Sequence, residues 1–224
     1  MRFRIDLKIF IFLIIFYFTK QIEIYAMIML FALIHELGHL LAGLLMGMKP
    51  ANLVSFSKEK MPELPEIISD YEESLEREGI RMEIICGCRK HYLLLVYRPD
   101  MLQEYLKQDE ARKLLLQDGY NIDSSLDEMI ARLKERFFHK TEFPHEIGLF
   151  LGYPIEDVKG FRKFGGSGCK MCGYWKVYDD VEQARRIFDS YDKCREFTAA
   201  QIRAGYSILQ VVGMKHLCTS QMCV

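Results

Sequence analysis

Apolar side chains crowd the first fifty positions of the chain and then give way to regularly spaced polar ones. Ile9–Phe18 is an unbroken apolar stretch, preceded by Arg2, Arg4 and Lys8. Lys20, Gln21 and Glu23 interrupt it, and Ile24–Met48 is apolar again except for His35, Glu36 and His39. Roughly 20 residues at about 1.5 Å each cross a bilayer, so the second block is long enough for a spanning helix. The first spans if Ile5–Thr19 is used whole and its flanking charges snorkel. A cleaved leader is the alternative for the first block, but no small-residue cleavage site comes after it. The pattern therefore predicts an α-helical membrane hairpin over residues 1–50. Arg2, Arg4 and Lys8 before the pair of blocks and Lys49, Lys58 and Lys60 beyond it outweigh the one lysine of the intervening loop, which places both termini in the cytoplasm.

Beyond Pro50 the periodicity is that of a separate folded domain. "PELPEIISDYEESLEREG" (62–79) has helical spacing. "IRMEIICGC" (80–88) and "HYLLLVYRP" (91–99) predict an antiparallel β-hairpin whose second strand stops at Pro99. Helices are expected around 100–117 and 124–138, with shorter ones over 143–154 and 155–164. A glycine-rich "GGSG" leads into "CKMC" and the strand-like "YWKVY" (174–178). Residues 179–205 predict a helix with an Asp N-cap and a Gly stop. The expected architecture is the membrane hairpin (1–50), then a separate cytoplasmic α/β (α+β) domain (51–212) with a small, at least partly antiparallel sheet, then a tail (213–224).

Charge adds one exclusion. Among 224 residues the formal net charge is -1, which gives no electrostatic basis for a nucleic-acid partner. The membrane is the partner that the apolar blocks imply.

The polar interruption of the second block is "FALIHELGHLLAG" (31–43). Residues four apart share one face of a helix, so His35 and His39 can hold one metal ion, with Glu36 beside them to take a proton from a bound water. Zinc suits these ligands and lowers the pKa of its water to about 7, the chemistry of amide hydrolysis. The bland reading is a chance HExxH inside a helix. Buried in an apolar run, three ionisable side chains argue for function.

On these residues and the adjoining "MGMKP", Met1–Pro50 resembles the amino-terminal end of the site-2 protease family of intramembrane zinc metalloproteases. The resemblance implies that His35 and His39 are zinc ligands, that Glu36 is the catalytic base, and that the substrate is a membrane protein. Members of that family take a third ligand from the aspartate of an Asn-Pro…Asp-Gly motif. Here the one Asp-Gly pair is Asp118-Gly119, in a charged amphipathic segment where the glycine reads as a helix C-cap. With two ligands in place of three, zinc is expected to be weakly held or absent. Proteolysis by the isolated chain is not expected, and a partner chain would have to lend a carboxylate.

The remainder resembles a second family, domain of unknown function 3793, through "LLLVYRP", "FPHEIGLFLGYPIEDVKGF", "CKMCGYWKVY" and "YDKC". That family carries no established activity, and "GMKPANLVSF" reads as a seam between two coding segments. The chain has seven cysteines. Cys169 and Cys172 form a CxxC for which three readings stand: plain reduced thiols, two ligands of a second metal site, or a redox pair. Cys194 and His145 are the candidate further ligands. His145-Glu146 is no second HExxH, because position 149 is leucine. Two functions remain in view: a truncated protease-like membrane segment fused to an uncharacterised domain, or a non-enzymatic, membrane-tethered α/β binding domain.

Overall fold

Six consecutive apolar residues in "HYLLLVY" suit a strand covered on both faces, and that is where β3 lies. A computed structural model describes residues 41–87, 90–139 and 143–215. The strands β1 (Ala51–Ser57), β2 (Arg81–Gly87) and β3 (His91–Tyr97) form an antiparallel sheet in the order β1-β3-β2. Ala51 pairs with Tyr97 and Ser57 with His91 across the first ladder. Across the second, a bulge between Ile84 and Cys86 shifts the register by one residue.

Alternation along the strands splits the core in two. Leu93, Leu95 and Tyr97 join Ala51, Leu53 and Ile85 on one face, packed against five helices. These are α2 (Pro99–Leu106), α3 (Asp109–Gln117), α4 (Leu126–His139), α5 (Ile147–Phe150) and α6 (Ile155–Phe164). Leu94 and Val96 join Phe56, Met82 and Ile84 on the other. That face is covered by α1 (Leu64–Arg77), α7 (Val181–Arg203), α8 (Ile208–Gly213) and residues 41–46. A two-stranded hairpin, β4 (Met171–Cys172) with β5 (Lys176–Val177), packs against α7. The result is an α+β fold with a small antiparallel sheet between helical layers.

Residues 41–46 correct the expected membrane hairpin. They are the carboxyl end of the second apolar block, yet Ala42, Leu44 and Met46 are buried against Val96, Cys194, Val211 and Val212. Leu44 is 0% exposed. Their apolarity is used by a protein core, which leaves nothing for lipid. The helix ends at Gly47, whose φ of +75° is open to glycine at low cost. Its N–H donates to Leu44 O (3.0 Å) and that of Met48 to Gly43 O (2.8 Å), a Schellman closure. Among the described residues no helix is long and apolar enough to cross a membrane. The hairpin, and the multi-pass localisation with cytoplasmic termini drawn from it, are therefore withdrawn. Residues 1–40 lie outside the described residues, and the compact unit described begins at Leu41.

Three elements had no counterpart in the sequence pattern: β1 occupies the expected seam, β4 lies within "CKMC", and α8 lies in a stretch without evident signal. The single helix expected over 100–117 is two, α2 and α3, because Gln108 adopts an extended backbone (ψ 138°) as the N-cap of the second.

Candidate functional site

His35, Glu36 and His39 lie outside the described residues. Asp118, the residue that a third zinc ligand would require, is engaged elsewhere. It caps the end of α3, its carboxylate accepts from Arg162 (2.5 Å), and its carbonyl accepts from Arg136 (2.8 Å). Gly119 comes next with φ +80°, as a helix C-cap requires. Glu146 is likewise occupied: buried, it pairs with Arg136 and lies 3.4 Å from the Tyr120 hydroxyl. That ion pair fixes the "PHEIG" segment leading into α5.

The β4–β5 hairpin is tied to α6 by one carboxylate. Asp157, in the first turn of α6 and 4% exposed, accepts the Trp175 indole N–H on Oδ2 (2.7 Å). Its Oδ1 takes the backbone N–H groups of Tyr178 (2.7 Å) and Asp179 (3.1 Å). Three donors and the positive end of the helix satisfy a charge that burial alone would penalise. Small residues let the hairpin come close. A Cβ on Gly160 would meet the Tyr178 ring at 2.5 Å, and one on Gly173 the Phe188 ring at 2.2 Å.

Trp175 is thereby locked as a wall. It stacks on Tyr153 (centroids 5.2 Å apart, planes at 27°) and meets Phe188 edge-on at 4.5 Å. In front of it is a cleft of about 230 Å³, lined chiefly by Phe143, Ile147, Val158 and Phe161 with Trp175. His145 and Lys176, both exposed, supply polar groups at its edge. The His145 ring lies edge-on to Phe161 at 5.4 Å. Two segments separated by more than ten residues of sequence thus meet at one cavity.

Behind Tyr153 sits Lys49, a buried cation. Its Nζ donates to Asn52 Oδ1 (3.1 Å) and lies 5.6 Å from the Tyr153 ring centroid. Burial lowers its pKa from the ordinary 10.5 to about 8. Burial also raises the Tyr153 hydroxyl to about 12. The lysine supports the aromatic stack from within the core.

The CxxC pair lies on the same hairpin. Cys169 Sγ and Cys172 Sγ are 3.3 Å apart, and Cys172 is exposed. The Cys172 thiol is raised above its ordinary pKa, first by its hydrogen bond to Cys169. Cys194 does not join them. It is 0% exposed on α7, in the core with Leu44 and Val211. Among the described residues no three metal-ligating side chains come together. The described residues lend the zinc metalloprotease reading no support, its His35, Glu36 and His39 lying outside them, and the trio of Cys169, Cys172 and Cys194 is not assembled as a ligand set.

Residues 37–212 match DUF3793, a family of proteins of unknown function, and the chain belongs to that family. The match begins inside the HELGH stretch and runs unbroken through "GMKPANLVSF", so neither a fusion seam nor a site-2 protease segment is supported. No curated protein and no solved structure matches the chain.

Sequence reasoning passed over Asp157, Trp175 and Lys49. The available signal was the chain's single tryptophan lying three residues beyond a CxxC, and an acidic residue adjoining Val158 on the apolar side of a short helix.

Proposed function

We propose that the chain is a non-enzymatic binding protein whose cleft takes a small, flat, largely apolar molecule carrying one anionic group. The observation that carries this reading is Trp175, locked by Asp157 as a rigid wall of a cavity lined by rings and aliphatic side chains. Ligand sites combine such linings with a few placed polar groups. At about 230 Å³ the cleft is smaller than the ~300–1,000 Å³ of drug-sized sites, which favours a one- or two-ring ligand. The Lys176 ammonium gives one hydrogen bond to Gly166 O and keeps two donors for an anion.

Calorimetric titration with benzoate, 2-naphthoate and the neutral 2-naphthamide tests the reading. Saturable binding of a carboxylate, preferred over the amide and weakened by about tenfold in Lys176→Ala, is the expected result. Equal binding of acid and amide, or no saturable heat from any of them, overturns it.

A further inference from the structure

We infer that Cys169 and Cys172 form a reversible dithiol–disulfide couple, exchanging with low-molecular-weight disulfides, which resets the Trp175–Lys176 wall of the cleft. The second half of this rests on the reading of that cleft as a ligand site. The first half rests on the thiols alone.

Thiol geometry separates the readings of CxxC. Two thiolates on a tetrahedral zinc with bonds of about 2.3 Å stand roughly 3.8 Å apart, and they need further ligands. Here the sulfurs are at 3.3 Å, and the described residues offer no third ligand. The sulfurs are in direct contact, with one member open to solvent. Solvent access at Cys172 is what an incoming disulfide requires, and because Cys169 holds the Cys172 thiol above its ordinary pKa the exchange quickens as pH rises.

Placement on the hairpin gives the couple something to move. Cys172 is the cross-strand partner of Lys176, and Met171 that of Val177. The turn between the strands closes through Gly173 N–H to Trp175 O (3.0 Å), with Gly173 seated against the Phe188 ring. Cys169 lies outside the ladder, next to Gly168 with its φ of +65°. Closing the bond shortens the sulfur separation from 3.3 Å to about 2.05 Å and fixes a torsion of about 90°. The movement falls on a two-residue strand whose ladder partner, β5, continues directly from Trp175 in the cleft wall.

The exchange balances without any group beyond the small disulfide. Cys172, as thiolate, attacks one sulfur of RSSR. The S–S bond of RSSR breaks, a mixed disulfide forms on Cys172, and RS⁻ leaves. Cys169, as thiolate, then attacks Cys172 Sγ, forming the intramolecular bond and expelling the second RS⁻. The two protons lost by the protein thiols are taken up by the two RS⁻, so the protein is oxidised by two electrons and RSSR is reduced to two RSH.

The experiment incubates the full chain with hydroxyethyl disulfide over a range of disulfide-to-thiol ratios. It reads the mass, the cysteines joined by peptide mapping, Trp175 emission and the affinity for 2-naphthoate. The expected result is loss of two hydrogen atoms, mapped to Cys169–Cys172 and reversed by dithiothreitol. Cys169→Ser should instead hold a mercaptoethanol adduct on Cys172. Trp175 is the single tryptophan, so its emission reports the wall directly. Emission should shift on oxidation, and the 2-naphthoate affinity should change by about fivefold or more. Failure to form the Cys169–Cys172 bond while both thiols alkylate freely overturns the couple. A bond that forms with Trp175 emission unchanged overturns its link to the wall. If 2-naphthoate binds neither form while emission still shifts, the ligand reading has failed and the redox couple stands.

Discussion

Arg98 donates its Nε–H to the carbonyl oxygen of Leu44 at 2.8 Å. Its two terminal nitrogens reach Leu45 O (2.7 Å) and Glu78 O (3.0 Å), and its own backbone N–H reaches Pro50 O (2.8 Å). A single buried guanidinium at the end of β3 thus satisfies the last carbonyls of the helix at 41–45 and the end of α1. It joins the segment before the sheet to the sheet's central strand. Carbonyls at a helix end have no partner within the helix, and burying them unpaired is costly.

Arg98→Met should therefore cost about 3–5 kcal/mol of unfolding free energy, since three charge-assisted bonds vanish and their acceptors stay buried. Arg98→Lys should recover little, because an ammonium cannot span carbonyls set for a planar fork. Urea denaturation followed by circular dichroism measures both. A loss below about 1 kcal/mol in Arg98→Met would mean the carbonyls find water instead.

The same contacts predict where the folding unit starts. A chain cut to residues 41–215 should unfold cooperatively. One cut to 51–215 should not, because it lacks Ala42, Leu44 and Met46 and leaves Val211 and Val212 uncovered. Comparison of the two thermal transitions decides the matter, and equal cooperativity would place the boundary at Pro50.

Lys49 makes stability depend on alkaline pH. Its folded pKa is depressed to about 8 against 10.5 unfolded, so between these values the unfolded chain binds the proton and the folded chain does not. The full contribution to stability is present above pH 10.5 and is lost as pH falls to 8, a difference of about 3 kcal/mol. Lys49→Met should flatten this slope and raise stability at pH 7 by about 1–3 kcal/mol, net of the lost Asn52 bond. Denaturation midpoints of both proteins from pH 7 to 10.5 give the test. Parallel curves would show that the ammonium is hydrated.

Asp157→Asn should release Trp175. The amide oxygen can still accept from Tyr178 and Asp179, but its NH₂ then opposes the indole N–H, donor against donor. A red-shifted Trp175 emission is expected, with a loss of about 2 kcal/mol. Unchanged emission would show that the aromatic stack of Tyr153 and Phe188 holds the indole without the carboxylate.

Much of the fold was legible because its signals are local. Two β-rich apolar runs and the closing Pro99 mark the β2–β3 hairpin, and Asp180 and Gly205 mark the ends of α7, with Asp180 accepting from Gln183 N–H as an N-cap should. The CxxC spacing was equally plain. What lay beyond the sequence were relations between distant segments. β1 was missed because a strand bearing Asn52, Ser55 and Ser57 is defined by its ladder to β3, forty residues on, and not by its own alternation. The cleft exists because Asp157 brings Trp175 against the 143–161 segment, a contact no periodicity encodes. The largest correction has the same origin. An apolar run says that side chains leave water, and burial in a bilayer and burial in a protein core satisfy it equally. For Ala42, Leu44 and Met46 the choice was made by Val96, Cys194, Val211 and Val212, which only the tertiary structure brings around them.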